Sequence, residues 1–462
     1  MKKLYLFIFS ILFFASAQAI DINVLTPGTL NTFVDGNDQK AMKNLTLTGI
    51  IDARDIFFIN NRLTNLDSLD LSNVQIRAFH QKTSKSDSIC YPADEIPAFS
   101  FSNKSSLQGN FTLRWIKLPN SITSIGDYAL YNCSKLTEIR IPKSVSRIGK
   151  YVFLDCASLN AFVVDKDNVN FTDVKGVLFN KGITQLIQFP QKNEVAYSIP
   201  ATVSSIANAA FYRCQDLKRV TLPIGLSSIG DSAFYSCHIE NIVIPNSVLR
   251  IGNYAFWGCS DLENILLGNS VVSIGNYAFW GTGNNALYEN HTRNITIPAS
   301  VKEIGYNCFV VSKLNNIFVD KANCCFSDVD GILYNKNQTE LIQCPFLKAG
   351  VIQVPTTVKE IQSSAFRQCE EITNVIFPNS LINIGDSAFY HCSAINNIVI
   401  PNSVRSIGKY SFSSCYRLNS IKLGSSLQQI SDYVFAGSNI INVVIPNSVR
   451  KIGQYAFSNC QE

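Results

Sequence analysis

The chain has 462 residues, of which 46% are apolar and only 16% charged, ample apolar side chain for a folded and well-buried core. Its formal net charge is +5 and no run of basic residues occurs, so nucleic-acid binding is set aside as a function class.

The chain opens MKKLYLFIFSILFFASAQAI. Lys2 and Lys3 precede an apolar stretch from Leu4 to Ala17, and Ala17-Gln18-Ala19 supplies a small-x-small cleavage pattern. The stretch is too short to span a bilayer, and no later segment reaches the ~18 consecutive apolar residues that a span needs. Residues 1–19 therefore read as an export signal, and no cysteine follows the cut to take a lipid anchor. The mature chain is expected outside the cytoplasm, at the cell surface or released, without a transmembrane span.

Residues 20–117 carry only a degenerate form of the repeat that fills the remainder of the chain, and they read as an irregular N-terminal cap. From residue 118 a single pattern returns twelve times, with copies beginning at 118, 141, 199, 222, 244, 267, 297, 354, 377, 400, 423 and 445. Most neighbours lie 22 or 23 residues apart, a period that marks a solenoid whose stacked units share one core. The copy LTEIRIPKSVSRIGKYVFLDC shows the grammar. Leu136, Ile139 and Ile141 have the LxxIxI spacing of a short strand, and Pro142, which cannot donate to a ladder, closes it. Val145 and Ile148 point inward next, Gly149 is predicted to make a positive-φ turn, and Phe153 fills the core from the far side. Nine of twelve copies keep the glycine, and eleven keep the phenylalanine.

The pattern LxxIxIPxSVxxIGxxAFxxC resembles the leucine-rich repeat of BspA-like surface proteins, also called the Treponema pallidum type, and it covers residues 118–462. Residues 44–79 resemble the N-terminal leader of such proteins in Bacteroidetes. The resemblance implies a leucine-rich-repeat solenoid: a right-handed α/β horseshoe, rich in β-structure, with short parallel strands joined by turns or short helices. It also implies a place on the cell surface and adhesion to host or bacterial partners.

Two longer spacings interrupt the array near residues 165–195 and 320–350. Their sequences align, NFTDVKGVLFNKGITQLIQFP (170–190) with CFSDVDGILYNKNQTELIQCP (325–345). Each reads as a β-hairpin with a turn at Asn-Lys. The match continues beyond them, so residues 142–282 and 298–438 read as duplicated halves. The chain ends inside its last repeat, where a polar cap is expected; the final coil is expected to fray or to continue in a longer product.

Nine of the 14 cysteines share one repeat position: Cys133, Cys156, Cys214, Cys237, Cys259, Cys369, Cys392, Cys415 and Cys460. Thr282, Ser312 and Ser438 fill it elsewhere, so the column reads as buried free thiols acting as small packing groups rather than as disulfides. Cys324, Cys325 and Cys344 correspond to Val169, Asn170 and Phe189 of the first half, and packing is the expectation there too. Cys90 and Cys308 show no partner in the sequence.

Catalysis would require carboxylates or bases gathered at one level of the coil. His80, His238, His291 and His391 occupy unrelated repeat positions. Asp173 and Asp328 recur in the paired insertions, with Asp330 beside the second; calcium ligation is conceivable, but a turn-stabilising role fits better. No zinc-type spacing occurs. The sequence thus points to a protein that is not an enzyme and implies no cofactor and no metal.

The LxxIxI strands instead offer a surface, because residues flanking the central apolar position point outward. The residue before it is mostly asparagine, including Asn241, Asn264, Asn294, Asn316, Asn374 and Asn397. The residue after it includes Val243, Leu266, Phe318, Ile376 and Val399. An outward apolar column beside an amide column is expected to bind a partner. Binding of a protein or glycoprotein ligand, as by an adhesin, is the leading expectation. A polysaccharide-binding or polysaccharide-processing solenoid and a passive surface-matrix protein stand as alternatives.

Overall fold

The computed structural model describes residues 19–84, 88–192, 194–282, 293–310 and 314–460. The expected export signal lies outside them except for Ala19, as do His291 and Ser312. The fold is a parallel β-solenoid of about 18 turns with few helices, and it divides into two compact units, Met1–Asn170 and Phe171–Glu462.

In the first unit one parallel sheet runs in chain order through Ala19–Val24, Asn44–Ile51, Ser68–Ile76, Trp115–Lys117, Glu138–Ile141 and Ala161–Val164. The segment expected as an irregular cap therefore supplies the first four strands of the regular sheet, Ala19–Val24 through Trp115–Lys117. A helix at Ala53–Arg62 is started by a reciprocal capping box: Asp52 accepts from the Arg54 N–H and Asp55 accepts from the Asp52 N–H. Asp55 is buried and also accepts from the N–H groups of Gly28 and Leu30, which satisfies its charge and ties the preceding loop to the helix.

Each coil of the second unit has three sides. The first is the LxxIxI strand, seen in the parallel sheet Ala196–Ser198, Arg219–Thr221, Asn241–Val243, Asn264–Leu266. The second is a two-residue strand, as in the parallel row Ser205–Ile206, Ser228–Ile229, Arg250–Ile251, Ser273–Ile274. The third is a turn that bonds from coil to coil as a sheet does. Ala209, Phe211 and Arg213 donate to the carbonyls of Asp231, Ala233 and Tyr235 at 2.7–2.8 Å, and Ser232, Phe234 and Ser236 donate to Asn253, Ala255 and Trp257. The outer donors of each set, Ala209, Arg213, Ser232 and Ser236, are left-handed (φ 52–57°). This conformation costs a non-glycine residue about 1 kcal/mol, and the inter-coil bond offsets it. No helix occurs in the described repeats; the helical segments lie between Leu30 and Arg62.

The repeat glycine corrects the sequence reading. Gly149 is not left-handed; Tyr151, two residues on, is (φ 57°). Glycine stands there because the preceding coil stacks too closely for a side chain. A Cβ at Gly149 would lie 2.6 Å from the Asp127 nitrogen, and one at Gly252 2.5 Å from the Asp231 nitrogen. The following residue builds a ladder of its own: Asn208 Oδ1 accepts from the Asp231 N–H, Asp231 Oδ1 from Asn253, Asn253 Oδ1 from Asn276, and Asn276 Oδ1 from Tyr306.

The interior is a column of phenylalanines. Phe189, Phe211, Phe234, Phe256 and Phe279 stack at 4.7–5.2 Å, and Phe366, Phe389 and Phe412 at 4.6–5.0 Å. Deleting one such buried ring costs about 3–5 kcal/mol. The cysteine column lies beside it, with every thiol free. The thiol hydrogens of Cys237, Cys259 and Cys392 point at the carbonyls of Phe211, Phe234 and Phe366 in the preceding coil. A column that needs a small group able to donate also explains Thr282, whose hydroxyl donates to the Phe279 carbonyl.

Both insertions are three-stranded meanders. Phe171–Val174 pairs antiparallel with Val177–Asn180, which pairs antiparallel with Gln185–Gln188, and the last strand then joins the two-residue row beside Ser205–Ile206. Phe326–Val329, Ile332–Asn335 and Glu340–Gln343 repeat the arrangement. Asn180 and Asn335 close the second turn of each, accepting from two N–H groups apiece.

Gly252→Ala should lower the unfolding midpoint in denaturant by the equivalent of about 1–3 kcal/mol, the usual cost of overpacking. Gly225→Ala is the control, because its Cβ would meet nothing nearer than 4.0 Å, and it should leave the midpoint unchanged. Burial pushes the thiols of Cys133 and Cys415 up to about 12 from an ordinary value of 9.0. The folded chain then keeps protons that the unfolded chain releases, so this contribution is complete below pH 9.0 and is lost as pH rises towards 12. The thermal midpoint should fall from about pH 9 upward, and less steeply in Cys415→Ser.

Candidate functional site

The outward face of the strand row holds every residue the sequence singled out. The apolar column is exposed: Val243 by 61%, Leu266 by 62%, Phe318 by 42%, Ile376 by 45% and Val399 by 55%. Asn241, Asn264, Asn294 and Asn397 are exposed as well, whereas Asn316 and Asn374 are half-buried. Strand geometry produces this face, because Ile242, Ile295, Ile317, Val375 and Ile398 alternate with these residues and point into the core.

The amides are partly engaged with one another. Asn264 Nδ2 donates to Asn241 Oδ1 at 2.7 Å, and Asn316 Nδ2 to Asn294 Oδ1 at 2.9 Å. Asn374 Oδ1 accepts from the Val375 N–H. Asn316 is covered by the second insertion: Lys348 Nζ donates to its Oδ1 at 2.9 Å, and Gly331, left-handed at φ 70°, lies where a Cβ would come within 2.4 Å of that oxygen. The insertion also pairs along this strand, with Ile317 N–H donating to the Gly331 carbonyl and Val319 N–H to Asp328 Oδ1. Asp328 thus ties an insertion to its coil. The face accordingly pairs Val243 with Leu266, sets Phe318 beside Thr296, and carries Ile376 and Val399 on the neighbouring strands Ile372–Ile376 and Asn397–Val399.

Register adds members that repeat counting passes over. Each insertion returns to the strand row a second time, at Ala196–Ser198 and at Gly350–Gln353. Val351 pairs with Asn374 and Gln353 with Ile376, so on this coil the two columns exchange character; Val351 is 58% exposed. The sequence signal was the IP and VP steps at 199–200 and 354–355, each of which ends a strand. Further along the row, a groove of about 700 Å³ opens beside Lys422, Asn442 and Val444.

Among the described residues no three of His, Cys, Asp and Glu come together in a way that could hold a metal ion. Of the described histidines, His238 lies 3.9 Å from Asp261, which Lys218 holds at 2.9 Å, and His391 lies 3.1 Å from Glu370. On the turn side Tyr212, Tyr235 and Trp257 stack at 4.8 and 4.5 Å, which covers both faces of the middle ring.

Among the described residues no helix is long and apolar enough to cross a membrane. No curated protein matches the chain. Among solved structures it is similar to a leucine rich cell surface protein of Faecalibacterium prausnitzii, with 28% identity over 73% of this chain and 81% of that one and a TM-score of 0.55. It is also similar to a leucine-rich repeat protein of Bacteroides ovatus (24% identity, 83% and 91% covered, TM-score 0.43) and to the pneumococcal vaccine antigen PcpA (22%, 63% and 68%, TM-score 0.48). The family model for the BspA type leucine rich repeat region, in six copies, matches residues 72–197, 188–284, 281–330 and 343–462. That match spans most of the chain and agrees with its coil-by-coil geometry: the chain belongs to the BspA-type leucine-rich repeat family.

Proposed function

We propose that this is an exported, surface-displayed binding protein, an adhesin that holds a protein or glycoprotein partner of a host or bacterial surface on its strand row. The observation that carries the reading is the exposed run of Val243, Leu266, Phe318, Ile376 and Val399. Large apolar side chains left about half exposed, on neighbouring strands at Val243 and Leu266 and again at Ile376 and Val399, fit the apolar centre of a protein interface. Neighbouring amides can pair with backbone or sugar groups at its edge. The export signal expected from residues 1–19 and the cell-surface description of a similar protein support display outside the cell.

A polysaccharide partner is the weaker fit. Sugar rings stack on open aromatic faces, and the exposed column of the strand row is aliphatic except at Phe318.

The test is a binding screen of residues 20–462 against immobilised host matrix glycoproteins, bacterial surface proteins and purified polysaccharides. Saturable binding to a protein is expected. Val243→Asp with Leu266→Asp, or Ile376→Asp with Val399→Asp, should weaken it by about tenfold or more. The thermal midpoint should not move, because these side chains are exposed. Unchanged affinity in both double variants would place the interface elsewhere.

A further inference from the structure

The buried thiol column and the second insertion use cysteine in opposite ways. Cys324 is exposed and Cys325 half-exposed, so the packing role expected from the sequence applies to Cys344, which is buried, and not to them. Their sulfurs lie 3.4 Å apart. The bend that carries them is pinned from beneath by Asn323, a buried side chain with every polar group engaged. Its Nδ2 donates to the carbonyls of Pro298 and Val301, and its Oδ1 accepts from the N–H groups of Cys325 and Phe326. Lys336 Nζ donates to the Asn323 carbonyl, which places a cation beside the pair.

The duplicated first half provides an internal comparison. Asn168 is buried in the same way, donates to Pro142 and Val145, and accepts from the Asn170 N–H. The anchor is therefore common to both halves, but it presents Val169 and Asn170 in one and two thiols in the other.

We infer that Cys324 and Cys325 form a redox-active dithiol site that exchanges with disulfides of small molecules or partner proteins by closing a ring between adjacent residues. The exposed Cys324 thiolate attacks a disulfide RSSR; a Cys324–SR bond forms, and RS⁻ leaves and takes up a proton. The Cys325 thiolate then attacks the Cys324 sulfur, the Cys324–Cys325 bond forms, and the second RS⁻ leaves. Two protein thiols are oxidised and one RSSR is reduced to two RSH. The hydrogen bond with Cys324 and burial raise the Cys325 thiol, and the nearby cations of Lys302 and Lys336 offset part of that rise, so Cys325 suits the slower, resolving step. Adjacent Cα atoms are ~3.8 Å apart across a trans peptide, closer than ordinary disulfides prefer. The ring is therefore strained and readily reduced, as exchanging disulfides are.

The experiment uses the reduced full chain in a Cys90→Ser background, because Cys90 is also exposed. It is treated with oxidised glutathione, alkylated and mapped by peptide mass spectrometry. The peptide holding residues 324–325 should lose two hydrogens and carry no glutathione, with two glutathione thiols released per chain, and dithiothreitol should restore it. Cys325→Ser should instead trap glutathione on Cys324, with at least about tenfold more adduct than the parent. A stable adduct in the parent, a dithiol left unoxidised, or a disulfide between two chains would each overturn the assignment.

Discussion

Everything in this fold depends on the close stacking of one coil on the next along three sides at once. Strands impose a separation of about 4.8 Å, and the turn side keeps to it because its own amides pair with the neighbouring coil. A single coil has no other coil to accept those bonds and no second ring for its phenylalanine. Order therefore spreads from coil to coil, as in other solenoids.

Close stacking assigns the repeat columns. Glycine occupies the corner where backbone meets backbone, asparagine or aspartate follows it to accept the next N–H, and cysteine or threonine occupies a buried place that needs a small donor. Where a column carries no such duty, as on the outward face of the strand row, composition is free to serve a partner. The apolar residues there stand beside the amides, which pair from coil to coil at Asn241–Asn264 and Asn294–Asn316. The Asn323 bend shows the same division, since the anchor is structural in both halves and only the residues it displays differ.

Much of this was legible in the sequence, because a solenoid repeats its constraints until they become visible. Period, strand position, phenylalanine column and outward face could all be read from spacing. Other features depended on contacts between coils, which no single repeat contains. The glycine requirement looked like a turn at Gly149 but is a clash with Asp127. The strands at 196–198 and 350–353 were hidden by the insertions that precede them. Asn316 looked like its neighbours until the insertion folded over it, and Cys324–Cys325 looked like packing because Val169 is apolar, although Val169 too is exposed. The ordered first strands were obscured because their longer form lacks the repeat's punctuation.

The claim that the turn side is bonded between coils as firmly as the strands is the one on which the rest depends. Hydrogen–deuterium exchange resolved to single amides tests it most directly. The amides of Ser232, Phe234 and Ser236, though they lie in turns, should be protected to the same degree as those of Asn241–Val243 in the same coil. Exchange of the turn amides at the rate of an open loop, with the strands still protected, would contradict it.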